Sequence, residues 1–384
     1  MSPRARHADA GEMAPRVGAV TTVVRLSVIV PTYNEAGNIP ALLRRIEAAV
    51  VGKAIPTEVW IMDDRSPDGT GEAARAVRTS LKVHVVERDG ERGLAQAATE
   101  GLRRANGEFV MVMDADLQHP PESIPEMVSA LEAGADFVIG SRFIGGGRAT
   151  RFNLLRRLNS WGATLLSRPL LPTQIADPMS GFFAMRRARL KDIRFHATGY
   201  KIGLELLVKS RPAKVREVPI IFGARHAGQS KLSLGQQYLY LNHLNRLYAW
   251  RFPAIHQFAR FCAIGTCGMA VDLSLMWALL AAGQPFGSAR IWSILTALLF
   301  NFILNRRFTF PEGKTPAVGQ FLRFAGACSI GTVINWTVSN GLYRLFPTLR
   351  GAVPLFCAVG VVAGTFANFL LSKRYAFAKP TGGR

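Results

Sequence analysis

The chain has 384 residues, with 47 Lys and Arg against 26 Asp and Glu, a formal net charge of +21 and a hydrophobic share of 49%. That charge suits a surface facing anionic lipid or phosphate-bearing substrates; it would also suit nucleic acid, but no nucleic-acid-binding motif accompanies it. The four cysteines, Cys262, Cys267, Cys328 and Cys357, lack any Cys-x-x-Cys or Cys/His spacing, which leaves out zinc and marks them as small apolar residues.

Residues 1–24 are mixed in composition and lack an apolar stretch of signal-peptide length, so a flexible tail is expected, with the next domain left in the cytoplasm. Residues 26–30 read as a strand stopping at Pro31-Thr32-Tyr33-Asn34-Glu35. An amphipathic helix follows, with Ile39, Leu42, Leu43 and Ile46 on one face. A second strand, 58–62, ends in Asp63-Asp64 and the turn-rich Ser66-Pro67-Asp68-Gly69-Thr70. A third, 83–86, leads to Arg88 and a helix after Gly93. The fourth, 109–113, has no polar residue, as a strand covered on both faces of a parallel sheet requires. A fifth, 136–140, ends in Ser141-Arg142. Strands alternating with helices predict an α/β sheet with right-handed crossovers, and every polar signature sits where a strand stops.

The fourth strand runs into Asp114-Ala115-Asp116. On an extended chain, side chains two apart point the same way, so the two carboxylates can face one point. That point lies beyond the carboxyl end of a strand, where such sheets collect ligands. Adjacent carboxylates repel unless a cation neutralises them, and hard oxygen ligands suit Mg²⁺ or Mn²⁺. The seven histidines form no obvious constellation.

Residues 232–255 mix Tyr238, Tyr240, Tyr248, Trp250 and Phe252 with Leu, Arg246 and Arg251, the pattern of an interfacial amphipathic helix. Such a helix would bring the edge of the sheet to a bilayer. Beyond Pro253 four apolar segments, near 258–281, 288–305, 321–343 and 352–371, approach the roughly 20 residues that a bilayer crossing takes. Arg260, Arg306, Arg307, Arg323, Lys373 and Arg374 return to one side after every second crossing, which the positive-inside rule assigns to the cytoplasm together with both chain ends. This half is also an internal repeat. Gln257-Phe258-Ala259-Arg260-Phe261 recurs as Gln320-Phe321-Leu322-Arg323-Phe324, and residues 301–310 recur as 368–377, so two hairpins forming a four-helix unit are expected over 256–379. Asp272 falls opposite Asn335; pairing with Arg or Asn inside the bundle is the expectation, and a part in transport the alternative.

Pro31-Thr32-Tyr33-Asn34-Glu35, Asp63-Asp64-x-Ser66-x-Asp68-Gly69-Thr70, Asp114-Ala115-Asp116-Leu117-Gln118-His119-Pro120-Pro121 and Ser180-Gly181-Phe182, in that order, closely resemble glycosyltransferase family 2. Within it the likeness is to dolichyl-phosphate mannose synthases and bacterial polyprenyl-phosphate glycosyltransferases. It spans residues 26 to 250, and the repeat after 255 resembles a GtrA-type membrane domain. The resemblance implies an α/β GT-A (Rossmann-like) catalytic domain over 25–231, followed by an all-α four-helix transmembrane domain. It implies a nucleotide-sugar donor whose base and ribose are held by Pro31, Tyr33, Glu35 and Asp64. Asp114, Asp116 and Gln118 should hold Mg²⁺ or Mn²⁺ on the donor diphosphate, and Arg142 should contact phosphate. Arg156 and Ser160, four apart, resemble acceptor-phosphate contacts. Arg225 and Lys231 match a mobile basic loop that closes over the site. Asp116, Arg142 and Lys231 are thus the catalytic candidates.

The implied reaction is an inverting transfer of a sugar, mannose from GDP-mannose first, to dolichyl or undecaprenyl phosphate at the inner membrane. A UDP-sugar donor is an alternative, and so is a flippase or transporter whose soluble domain only binds nucleotide sugar. The Gln-x-x-Arg-Trp motif of processive polysaccharide synthases is absent. Asp177, before Pro178-Met179-Ser180-Gly181, fits a role in positioning the sugar or the metal shell, and equally a helix N-cap or turn.

Overall fold

The computed structural model describes residues 23–146, 148–149, 162–191, 193, 195, 201–223, 234–311, 316–346 and 353–378. The chain divides into two compact units between Leu247 and Tyr248. In the first, β1 (Leu26–Thr32), α1 (Ile39–Val51), β2 (Thr57–Asp63), α2 (Thr70–Ala76), β3 (Lys82–Glu87), α3 (Leu94–Arg104), β4 (Phe109–Val112), α4 (Ile124–Glu132) and β5 (Phe137–Ser141) alternate as the apolar pattern predicts. They are followed by β6 (Arg148–Ala149), β7 (Phe183–Arg186), α5 (Ile202–Lys209), β8 (Val215–Pro219) and β9 (Ile221–Phe222). A seven-stranded sheet has the order β3-β2-β1-β4-β7-β5-β8, and β6 and β9 form a separate parallel pair.

Both faces of the sheet are covered, and strand alternation divides the core. Val28, Val30, Val59, Ile61 and Met111 pack with Ile39, Leu42, Leu43 and Ile46 of α1 and Met127 and Leu131 of α4. Ile29, Trp60, Met62, Val110 and Val112 pack instead with Ala98 and Leu102 of α3 and Leu206 of α5. Each large aliphatic side chain so buried stabilises the fold by about 1.5–3 kcal/mol relative to exposure. β7 departs from the five-strand expectation. It lies between β4 and β5, antiparallel to both, with Phe183 opposite Val112 and Ile139. An antiparallel strand begins where its parallel neighbours end, so Ser180-Gly181-Phe182 arrives at the edge that carries Asp114 and Arg142.

In the second unit α7 (Pro253–Ala281) and α8 (Phe286–Leu304) pack as one hairpin, and α9 (Ala317–Leu345) and α10 (Val353–Leu371) as another. The helix before them, α6 (Leu234–Arg251), contains the division between the units. Among the described residues three helical stretches, Pro253–Ala281, Phe286–Thr309 and Ala317–Leu345, are long and apolar enough to cross a membrane. The fourth expected segment forms α10, 19 residues without a charged side chain. The hairpins match in detail. α8 and α10 each run into a π-turn, at Asn305–Thr309 and Ser372–Ala376, closed by Phe310 N–H to Asn305 O and Phe377 N–H to Ser372 O, both 2.8 Å. Phe310 and Phe377 stack on each other, centroids 4.6 Å apart. Gly268 and Gly331 hold equivalent places against the amides of Asn301 and Asn368, where a Cβ would overlap the amide oxygen. Asp272 accepts from Arg290 Nη1 at 2.8 Å, which identifies its partner as Arg rather than Asn. Its counterpart Asn335 accepts from Ser339 Oγ at 3.2 Å.

Asp136, just ahead of β5, fixes how that strand enters the sheet. Burial alone would raise its pKa, but hydrogen bonds from Arg189 and from the Lys214 and Ala213 amides outweigh burial and hold it below its ordinary 3.8. A depressed folded pKa means stability that is present above the unfolded value and lost as pH falls through the folded one. Asp136→Asn is therefore expected to cost about 1–3 kcal/mol at pH 7. Thermal unfolding of the detergent-solubilised protein should show the gap between wild type and variant closing as pH falls below 3.8.

Candidate active site at the strand ends

β1, β2 and β4 run parallel, so their carboxyl ends share one edge. A cavity of about 200 Å³ opens there, lined by Pro31, Thr32, Tyr33, Glu35, Asp64, Leu94, Asp114, Ala115 and Asp116. It unites six of the sequence-derived candidates: Pro31, Tyr33, Glu35, Asp64, Asp114 and Asp116. The Tyr33 side chain is exposed, with the Arg92 guanidinium 4.9 Å above its ring and Arg92 Nη1 donating to its hydroxyl at 3.1 Å. The Glu35 carboxylate accepts from Asn38 Nδ2 at 2.6 Å, while Thr70 Oγ1 accepts from its amide. Asp64 is buried and held on both oxygens, by Arg88 Nη1 and by the Gly93 amide at 2.8 Å. Its neighbour Asp63 is structural, accepting from Thr32 Oγ1, Ser66 N–H and Ser66 Oγ.

Asp114 and Asp116 line the same cavity. β4 ends at Val112, so the pair lies just past the strand, and Leu117 immediately after it has φ 62°, left-handed backbone uncommon for a branched side chain. Asp116 is buried and accepts from the Gln118 amide at 3.1 Å; the Asp114 side chain remains 35% exposed. Gln118 is beside the cavity rather than in its lining. Its Nε2 donates to Gly223 O at 3.1 Å, which leaves Oε1 as its atom for a cation.

Four of the nine lining residues are carboxylates and none is a base. A diphosphate entering such a cavity meets like charge, and a hard cation between them removes the conflict. The donor set, two carboxylates and an amide oxygen, fits Mg²⁺ or Mn²⁺. Among the described residues no three His, Cys, Asp or Glu side chains converge, so remaining ligands would come from Gln118 and the substrate.

Arg142 is gripped by Asp177, with Nε to Oδ2 at 2.7 Å, Nη2 to Oδ1 at 2.8 Å and the Arg142 amide to Oδ2 at 3.0 Å. Asp177 is fully buried, and Glu217 accepts its amide at 3.0 Å. Asp177 thus orients Arg142, a pairing that sequence spacing across 35 residues did not reveal. Sequence reasoning also missed Arg88, Arg92 and His119. His119 stands within the Asp114–Pro121 motif, which gave it no role of its own; it is buried, its Nδ1 accepts the Asp114 N–H at 2.9 Å, and burial lowers its pKa. Arg156, Ser160, Arg225 and Lys231 lie outside the described residues.

Residues 27–194 match the model for glycosyl transferase family 2, and residues 260–377 that for the GtrA/DPMS transmembrane domain. A dolichol-phosphate mannosyltransferase of Pyrococcus furiosus is 37% identical over 341 residues, covering 87% of this chain and 96% of its own. The Saccharomyces cerevisiae dolichol-phosphate mannosyltransferase is 39% identical, over 60% of this chain and 90% of its own. An undecaprenyl-phosphate mannosyltransferase of Micrococcus luteus is 36% identical, over 55% and 89%. Among solved structures, a glucosyl-3-phosphoglycerate synthase from Mycobacterium tuberculosis is 23% identical with a TM-score of 0.45, covering 59% of this chain and 79% of its own.

The Arg88–Asp64 pair carries its own prediction. Both side chains are buried, and Arg88 Nε also meets Glu100 at 3.0 Å. Asp64→Ala would leave the buried guanidinium with Glu100 and the Glu91 carbonyl, and the Gly93 amide without its acceptor. A loss of about 3 kcal/mol in stability is expected, read as a lowered unfolding midpoint, together with weaker nucleotide binding by calorimetry.

Proposed function

The chain belongs to glycosyltransferase family 2, and from that premise we propose that it moves mannose from GDP-mannose onto a polyprenyl phosphate. It is a membrane glycosyltransferase of the polyprenyl-phosphate type, with a GtrA/DPMS membrane domain. The observation that carries the choice of sugar is the likeness to a dolichol-phosphate mannosyltransferase over 96% of that enzyme's length, soluble and membrane halves together. The catalytic half is assigned to the cytoplasmic side of the inner membrane, supported by Arg260, Arg306, Arg307, Arg323, Lys373 and Arg374 beside the spans.

In this reading Tyr33 and Pro31 flank the base, and Glu35 and Asp64 face the ribose. Asp114, Asp116 and Gln118 would hold a divalent cation, which would offset the charge of the departing nucleoside diphosphate. Arg142, held in register by Asp177, and Lys231 add positive charge at the same phosphates. Arg156 and Ser160 receive the lipid phosphate. An acceptor oxygen that is already anionic attacks the anomeric carbon, the bond from that carbon to the diphosphate breaks on the opposite face, and the configuration inverts. The acceptor has no proton to give up, so no general base is required.

Purified protein with polyprenyl phosphate and a panel of radiolabelled GDP- and UDP-sugars tests the assignment. Label from GDP-mannose should pass into organic solvent; label from a UDP-sugar instead would overturn the choice of donor. Asp116→Asn should lower the rate by about a hundredfold or more, and EDTA should abolish it; full activity of the variant in EDTA would end the metal assignment. Arg156→Ala should raise the KM for polyprenyl phosphate by about tenfold or more and leave nucleotide-sugar affinity nearly unchanged, since a charge-assisted phosphate contact contributes about 1.5–3 kcal/mol. Lysine there should restore only part of it, because a point charge does not reproduce the planar fork.

A further inference from the structure

His119 is 2% exposed and lies against Asp114. Its Nδ1 accepts the Asp114 N–H at 2.9 Å. A ring nitrogen that accepts a hydrogen bond carries no proton, so the proton of the neutral imidazole is on Nε2. Nε2 in turn stands 3.8 Å from Asp114 Oδ2, which makes a single residue both the backbone anchor and the side-chain neighbour of one carboxylate. The ring is held by Phe182, stacked at 5.3 Å between centroids, and by Phe222, tilted at 5.5 Å. The remaining side is closed by Gly181, where a Cβ would stand 3.3 Å from His119 Cε1 and 3.4 Å from Asp114 Oδ2. The glycine leaves room for imidazole and carboxylate to lie side by side.

We propose that His119 is a positioning residue for Asp114: Nδ1 anchors the Asp114 backbone N–H, and the Nε2–H faces the carboxylate at 3.8 Å, beyond hydrogen-bond range, so that the two together direct that carboxylate toward the cation and the donor diphosphate. This rests on the reading that Asp114 is a metal ligand. The neutral form suits that role, because an imidazolium would cancel the negative charge that the cation needs, whereas a neutral N–H steers the carboxylate and leaves its charge in place. Accepting the Asp114 N–H on Nδ1 leaves the ring in its neutral form. A packing role alone would need the ring and neither nitrogen. The three motifs Asp114-Ala115-Asp116, Gln118-His119-Pro120 and Ser180-Gly181-Phe182 become one device, with the histidine as the joint between a carboxylate and an aromatic wall.

The test is Mn²⁺ affinity of the full-length protein in detergent, read by electron paramagnetic resonance with GDP present, for wild type, Asp114→Asn, His119→Phe, His119→Asn and His119→Gln. His119→Phe keeps a ring in the stack and loses both nitrogens; its Mn²⁺ affinity should fall about tenfold or more. His119→Asn, which can still accept from the Asp114 amide, should also be weak. His119→Gln, which places a donor near Nε2, should recover part of the affinity. A His119→Phe protein that is folded by circular dichroism and binds Mn²⁺ like wild type would overturn the inference. If that variant does not fold, wild-type affinity in His119→Asn overturns it instead. Asp114→Asn separates the two levels: equal Mn²⁺ binding in Asp114→Asn and wild type removes the metal assignment itself, while a defect confined to Asp114→Asn removes only the role of His119.

Discussion

β7 runs against its neighbours, and the arrangement of the cavity edge follows from that reversal. Parallel strands deliver only their carboxyl ends to an edge, so β1, β2 and β4 supply loops that leave the sheet. By entering in the opposite sense between β4 and β5, β7 brings a chain arriving at the same edge. Ser180 at its threshold donates to Gly140 O at 2.7 Å, which ties the start of β7 to the end of β5, where Arg142 begins. Phe182 and Gly181 then meet His119 and Asp114 from the other side. Backbone pairing thus brings the strand end that leads to the carboxylates and the one that leads to the arginine to a single edge.

Charge around this edge is managed pairwise. Arg88 is held by Asp64 and Glu100, Arg142 by Asp177, and Arg92 lies over Tyr33. Most of these partners are distant in sequence, so each pairing also fastens two elements. The excess positive charge of the chain does not appear on the cavity wall, which is acidic among the described residues. An acidic wall of this kind favours a hard cation, which can neutralise adjacent carboxylates.

What the sequence disclosed follows the range of the interactions involved. The apolar period of α1 identified Ile39, Leu42, Leu43 and Ile46, all buried, because helix amphipathicity is local. Polar motifs at strand ends indicated where a cavity would form, since the end of an apolar run is also local. β7 and β8 escaped because four- and five-residue strands of mixed character owe their state to neighbours far along the chain. Asp114 and Asp116 line one cavity just past the end of β4, a placement that the end of the apolar run already indicated. Asp177 and His119 were undervalued because their meaning lies in partners that spacing does not reveal. In the membrane half the repeat was legible, whereas the choice of Arg290 as the partner of Asp272 required the fold.

The repeat has a further consequence. The contact between Phe302 and Phe377 has its mirror in Phe369 and Phe310, and Phe310 stacks on its own counterpart, so the hairpins meet through faces that match themselves. A self-complementary face does not distinguish a tethered copy from an identical one on a separate molecule. The covalent link between the hairpins therefore acts as a concentration device, making one partner far more available than any other without adding a contact. The ion pair of Asp272 with Arg290, which has no equivalent at Asn335, marks one hairpin as different from its twin.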